Sequence, residues 1–318
     1  MKRIYGSCAL ISLSLATLAT FDDDIKEKSS TKTKLSAKKI TTAESLTCIS
    51  DQKFRTAHPS QGIIHLPDLS SYVRQFVTNC EIREIERMDE IKESINHDTL
   101  LIYDLDNTVF EPVGNYGSDQ WFYYLSKVYQ MDGFSTEESE EKALELWNHT
   151  QSLIKVKPVE SCIPTFIRDQ QSKGIKTIAV TARSAATADV TIKQLTSIDV
   201  TFQGSSIKNG ESFKIDHPGL NGDVLFHDGV LFVGEKNSKG EALILLLKNL
   251  NYRPENVVFV DDRRRHLEAV EKQLKAKKIP YKGFRYGAAD KKVHAFNDFT
   301  SEISDKKTAG LFYMGKAL

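Results

Sequence analysis

Four short apolar runs limit what this chain can fold into more than any other feature. Residues 99–103 run into Asp104-Leu105-Asp106, residues 176–180 into Thr181-Ala182-Arg183, and residues 257–260 into Asp261-Asp262, while residues 230–233 follow the turn pair Asp228-Gly229. Each run is rich in Val, Ile, Leu or Phe and bounded by turn residues, so each is expected to be a buried strand. Amphipathic stretches at 184–195, 240–250 and 266–275 fall after three of the runs and predict helices, and a last strand is expected around 283–286. Strand and helix alternating in this way predict an α/β fold with a doubly wound parallel sheet. Such sheets collect ligands at the carboxyl ends of their strands, where Asp104, Asp106, Thr181, Asp261 and Asp262 all stand.

About seventy residues separate the first run from the second, far more than one crossover helix needs. Helical patterning at 119–129 and 136–154 places Trp121, Phe122, Leu125, Leu144, Leu146 and Trp147 on apolar faces. Residues 111–157 are therefore expected to form a small inserted helical cap rather than extra core helices, because long insertions in compact domains are often lids.

The chain begins Met1-Lys2-Arg3 and continues with an apolar stretch of Leu, Ala and Ser closing on small residues, the pattern of a signal peptide over residues 1–20. An uncleaved membrane anchor is the weaker reading, since a spanning helix wants about 20 apolar residues. Residues 21–45 are Lys-, Ser- and Thr-rich and read as a flexible linker, leaving 46–318 for the folded part. Export, to a periplasm or beyond, is the expected localisation. Cys48, Cys80 and Cys162 remain after the signal, too few for a disulfide framework, and their pairing is not legible.

With 43 basic and 43 acidic side chains the total charge is balanced, so nothing points to nucleic acid as a partner. The balance conceals an asymmetry. Residues 81–160 hold 18 acidic and 7 basic side chains, whereas 263–318 hold 6 and 14. The basic region, with Arg263-Arg264-Arg265 and Lys275, Lys277 and Lys278, reads as a solvated surface or as a contact for anionic membrane. No histidine or cysteine spacing of a zinc site and no Gly-rich phosphate loop is present.

Alternation along an extended chain sends Asp104 and Asp106 to one side, so two carboxylates share a pocket. Like charges that close need a cation or a proton, and oxygen-only ligands suit Mg²⁺ with a substrate phosphate. Thr181 and Lys239, at the head of the 240–250 helix, could hold that phosphate, with Lys236 as the alternative lysine.

Taken in order, Asp104-Leu105-Asp106-Asn107-Thr108, the run ending in Thr181, Lys239, and the run ending in Asp261-Asp262 resemble the haloacid dehalogenase (HAD) superfamily of phosphohydrolases over residues 99–290. With Gly117-Ser118-Asp119-Gln120-Trp121 and Val-Thr-Ala-Arg through Arg183, the chain also resembles a branch of secreted HAD-like proteins of intracellular bacterial pathogens, some directed at phosphotyrosine. The resemblance implies that Asp104 is the nucleophile, forming an aspartyl-phosphate, and that Asp106 is the acid and then the base. It implies Mg²⁺ held by Asp104, Asp261 and the backbone carbonyl of Asp106, with Asp262 a water-mediated ligand or an orienter, unless Asp262 is a helix N-cap. Arg183 is either a solvent-facing residue at a helix start or a substrate contact.

The expected activity is hydrolysis of a phosphorylated substrate, a phosphopeptide or a small phosphomonoester. A secreted binding module that keeps the fold, and a periplasmic nutrient phosphatase, are the competing expectations.

Overall fold

The computed structural model describes residues 82–302, with side chains as far as residue 297. The expected signal peptide, the linker, Cys48, Cys80 and residues 303–318 lie outside the described residues. In chain order the elements are β1 (Ile82–Ile85), a 3₁₀ helix (Met88–Ser94), β2 (Thr99–Tyr103), β3 (Phe110–Pro112), α1 (Asp119–Met131), α2 (Thr136–Gln151), β4 (Val156–Pro158), α3 (Ile163–Ser172) and β5 (Lys176–Thr181). There follow α4 (Ala188–Ser197), β6 (Ser212–Ile215), β7 (Val224–His227), β8 (Val230–Phe232), α5 (Lys239–Asn249), β9 (Asn256–Asp261), α6 (Arg264–Ala276), β10 (Tyr281–Tyr286) and α7 (Asp290–Glu302).

Eight strands form one sheet in the order β1-β10-β9-β2-β5-β8-β7-β6. The six from β1 to β8 are parallel, and β7 and β6 add an antiparallel edge. This is the α/β, mostly parallel sheet that the apolar runs imply. Central β2 is buried along its whole length because helices cover both faces. Its pleat sends Leu101 and Tyr103 into one core with Ile163, Phe166 and Leu195, and Leu100 and Ile102 into the other with Leu243, Leu246 and Leu267. Asp228-Gly229, read as a turn ahead of β8, is the two-residue hairpin loop from β7, with φ of 49° and 81° as such turns require.

Between β2 and β5 the structure places more than the two expected helices. Strands β3 and β4 pair as an antiparallel stem, Phe110 opposite Pro158, and α1 and α2 rise between them. Ser118 caps α1 by accepting from Trp121 N, and Ser135 and Glu138 form a capping box on α2. Trp121, Tyr124, Leu125, Ala143 and Trp147 make a third apolar cluster, completed by Phe296 of α7. Lys292 of α7 also donates to Glu111 Oε2 and Pro112 O, both at 3.0 Å, at the base of the stem. No helix among the described residues is long and apolar enough to cross a membrane.

Candidate functional site

Asp104 continues the ladder of β2, its N–H donating to Val260 O at 2.9 Å. The chain then turns sharply, with Asn107 at φ 60° and three successive N–H groups directed at Leu105 O. That turn brings Thr108 back under the strand ends, where its hydroxyl donates to Asp104 Oδ2 at 3.3 Å and accepts from Asp262 N at 3.1 Å. Asp261 ends neighbouring β9, and one oxygen from each of Asp104, Asp261 and Asp262 lies within 4.8 Å of the others.

Lys239 joins this group from the first turn of α5. Its Nζ donates to Asp104 Oδ1 at 2.5 Å and to Asp261 Oδ2 at 2.8 Å. The expected lysine is therefore the one that reaches the carboxylates, whereas Lys236 is exposed. Gly240 lets α5 approach: a Cβ there would lie 2.3 Å from Ala269 O on α6. His266, on the first turn of α6, places Nδ1 3.1 Å from Asp261 Oδ1.

Burial dominates the electrostatics. It lifts Asp104 to about 8, against the pull of Lys239 and helped by the charge of Asp261. Asp262 is pushed well above the carboxylate range by burial and then by Asp104 and Asp261. Burial also opposes ionisation of Asp261, but Lys239 and His266 outweigh it and hold that carboxyl down at about 2. Three clustered carboxyls, two of which burial keeps from ionising beside a single lysine, form an oxygen-only set that fits a hard divalent cation such as Mg²⁺, whose charge would favour their ionised forms.

Asp106 sits 7% exposed and lines the same pocket as Asp104. Thr181 lies at the end of β5, and its hydroxyl accepts from Arg183 N at 3.1 Å. Arg183 departs from the solvent-facing expectation: it is 3% exposed, and Nε and Nη2 donate to Asp106 Oδ2 and Oδ1, both at 2.8 Å. The tight turn after Thr181 aims the side chain inward, between the rings of Phe110 and Trp147. Asp262 is not a helix N-cap; that position on α6 belongs to Arg263.

The pocket over the strand ends is lined by Asp104, Asp106, Thr181 and Asp262 at its floor and by Phe122, Tyr123, Leu144 and Trp147 of the helical pair above. Asp104 is 5% exposed at the bottom of this pocket. Trp121 and Tyr124 face the helix cluster, and of the α1 aromatics it is Phe122 and Tyr123 that reach the pocket. At the rim, Arg263 donates to Asp119 Oδ2 at 2.6 Å and to Tyr123 Oη at 2.5 Å. Arg264 pairs with Glu84 and Arg265 with Glu235, so the basic triplet carries carboxylate partners rather than standing free. Asp119, Glu235, Arg263 and His266 also line the pocket; Asp119 stands in the Gly117–Trp121 motif and Arg263 in the basic triplet without having been assigned to the site, whereas no motif marks Glu235 or His266.

Fold and site together define an α/β protein with a lysine-bridged acidic pocket at the carboxyl edge of its sheet. The chain matches the family described as "Protein of unknown function (DUF2608)" over residues 84–309, and it belongs to that family. It is similar to a protein of Chlamydia trachomatis serovar D, 27% identical over 208 residues that cover 64% of this chain and 76% of the relative. A protein of Chlamydia muridarum is 26% identical over 207 residues, with the same coverage of 64% and 76%. Both carry the name "Putative outer membrane protein". Among solved structures, a phospho-aspartyl intermediate analogue of phosphoserine phosphatase has a TM-score of 0.29 at 16% identity, covering 56% of this chain and 82% of that one. The class C acid phosphatase from Bacillus anthracis has a TM-score of 0.29 at 13% identity, covering 66% and 81%.

Proposed function

We propose that this chain is a phosphomonoester hydrolase of HAD type that depends on Mg²⁺. The observation that carries the reading is the convergence of Asp104, Asp106, Thr181 and Asp262 on one pocket floor, with Lys239 and Asp261 buried against Asp104, from three strand ends and one helix start. In this reading Mg²⁺, held by Asp104, Asp261 and the backbone carbonyl of Asp106 with Asp262 beside them, offsets charge on the phosphoryl oxygens.

Asp104 attacks phosphorus through a carboxylate oxygen, an aspartyl-phosphate forms, and the bond to the leaving oxygen breaks. Asp106 gives that oxygen a proton and then takes one from the water that hydrolyses the acyl phosphate. Thr181 and Lys239 hold phosphoryl oxygens, and the dry floor strengthens every such contact. Helices α1 and α2 act as a cap that excludes bulk water, and Phe122 and Tyr123 offer ring faces to an aromatic leaving group such as a tyrosyl side chain. A phosphopeptide requires the pair to part from the floor, since Asp104 is buried beneath it. We read the expected signal peptide and the naming of the chlamydial relatives as support for an exported enzyme.

The test is turnover with and without Mg²⁺ on phosphotyrosine peptides, nucleotides and sugar phosphates. Wild type should be silenced by EDTA, and Asp104→Asn should lose several powers of ten in kcat. Activity that survives either change rejects the mechanism, and a kcat/KM favouring sugar phosphates rejects the aromatic substrate.

A further inference from the structure

Arg183 lines the pocket yet has no donor left for a substrate. Besides the two bonds to Asp106, Nη2 donates to Gln151 Oε1 at 3.1 Å, and Nη1 donates to Thr191 Oγ1 at 3.0 Å and Gln194 Oε1 at 2.7 Å. These account for all five N–H groups of a guanidinium. Phe110 and Trp147 hold their ring centres 4.9 and 5.1 Å from its central carbon. Two partners, Thr191 and Gln194, belong to α4 of the core. Two others, Gln151 and Trp147, belong to α2 of the inserted pair.

We propose that Arg183 is a positioning residue that fixes the carboxylate of Asp106 and makes that fix depend on the seating of the inserted helices. The proposal rests on the reading that Asp106 transfers the proton. A planar fork bonded to both carboxylate oxygens sets the plane as well as the place of the acid, which a single bond would leave free to rotate. Gln151 carries the dependence. As the last residue of α2 it accepts from Arg183, while its Nε2 donates to Gly117 O at 3.0 Å, just ahead of α1. Gln194 Nε2 then donates to Gln151 O at 2.9 Å, tying the same residue to the core.

Both ends of the inserted pair thus meet one amide that touches the guanidinium. When the pair lifts, Gln151 and Trp147 leave with it, and Arg183 loses one acceptor and one ring face. Asp106 then loses its fixed direction. A ligand that lets α1 and α2 settle completes the proton-transfer geometry, and one that props them apart does not.

Two measurements test this. The first is kcat and KM for a series of aryl and alkyl phosphates of graded leaving-group acidity, in wild type, Arg183→Lys, Arg183→Met and Gln151→Ala. Proton delivery matters most for poor leaving groups and is worth about 10²–10⁴ in rate. The Arg183 variants should therefore lose on the order of a hundredfold in kcat on alkyl esters and far less on nitrophenyl phosphate, with KM within about twofold. Gln151→Ala should steepen the same dependence on the leaving group by a smaller factor. A KM rising equally for every ester would make Arg183 a phosphoryl ligand and overturn the proposal, as would a uniform loss that follows the folded fraction.

The second measurement is the ¹H–¹⁵N resonance of Arg183 Nε, which should exchange slowly and shift in both Asp106→Asn and Gln151→Ala. If wild type hydrolyses no ester, the proposed function falls and this resonance decides alone. A signal that responds to Gln151→Ala sustains the linkage to Asp106, and one that does not move overturns it.

Discussion

Lys239 lies between Asp104 and Asp261 with a side chain 2% exposed, so it is the internal counter-ion of the pocket. Removing one member of a buried charge group leaves the others uncompensated, at a cost of about 3–5 kcal/mol. Lys239→Met should therefore unfold at a markedly lower temperature without metal, and millimolar Mg²⁺ should recover much of the loss by binding only the folded state. Thermal unfolding with and without Mg²⁺ checks this, and a loss that Mg²⁺ does not touch would remove the cation from the pocket. Asp261→Asn should weaken Mg²⁺ binding more than Asp106→Asn, because Asp106 is assigned a backbone ligand while its carboxylate is engaged by Arg183; calorimetric titration of both variants decides. The carboxylates and Lys239 were legible in the sequence because each stands at the end of an apolar run or the head of a helix. The burial and partners of Arg183 were not, since Gln151, Thr191 and Gln194 reach it from two helices, and neither adjacency nor period encodes that meeting.

At the scale of elements, the buried parallel strands could be read from sequence because burial on both faces leaves nearly continuous apolar runs. The edges could not. β1 shows two exposed residues between Ile82 and Ile85, and β6 is mostly solvated, so neither carries a run long enough to stand out. Helix α5 illustrates what a single position controls. At Gly240 it passes so close to α6 that a methyl group would fall 2.3 Å from Ala269 O, which backbone cannot accommodate without shifting. Gly240→Ala should destabilise the protein by about 1–3 kcal/mol, the usual range for overpacking, despite the better helix propensity of alanine. Because the displaced segment begins at Lys239, kcat should fall with it; denaturant unfolding and turnover on one preparation test the pairing.

For the molecule as a whole, the last helix belongs to the same assembly as the insertion. Phe296 packs edge-on to Tyr124, their centres 6.2 Å apart, and Lys292 holds the stem through Glu111. A chain ended after Gly287 should keep its sheet but uncover the Trp121–Tyr124 face, giving a lower unfolding temperature and binding of a hydrophobic dye. Unchanged unfolding in that truncation would dismiss α7 as a support. The pairing of β1 with β10 has the same long reach, Ile82 against Gly283. Synthesis runs at about 5–20 residues per second, so the end of the insertion is made roughly seven seconds or more before Phe296 exists to cover it. A nascent chain of this kind can complete neither the β1 margin nor the aromatic cluster until β10 and α7 have been made, so its earlier parts wait unfinished while most of the sheet is still being synthesised.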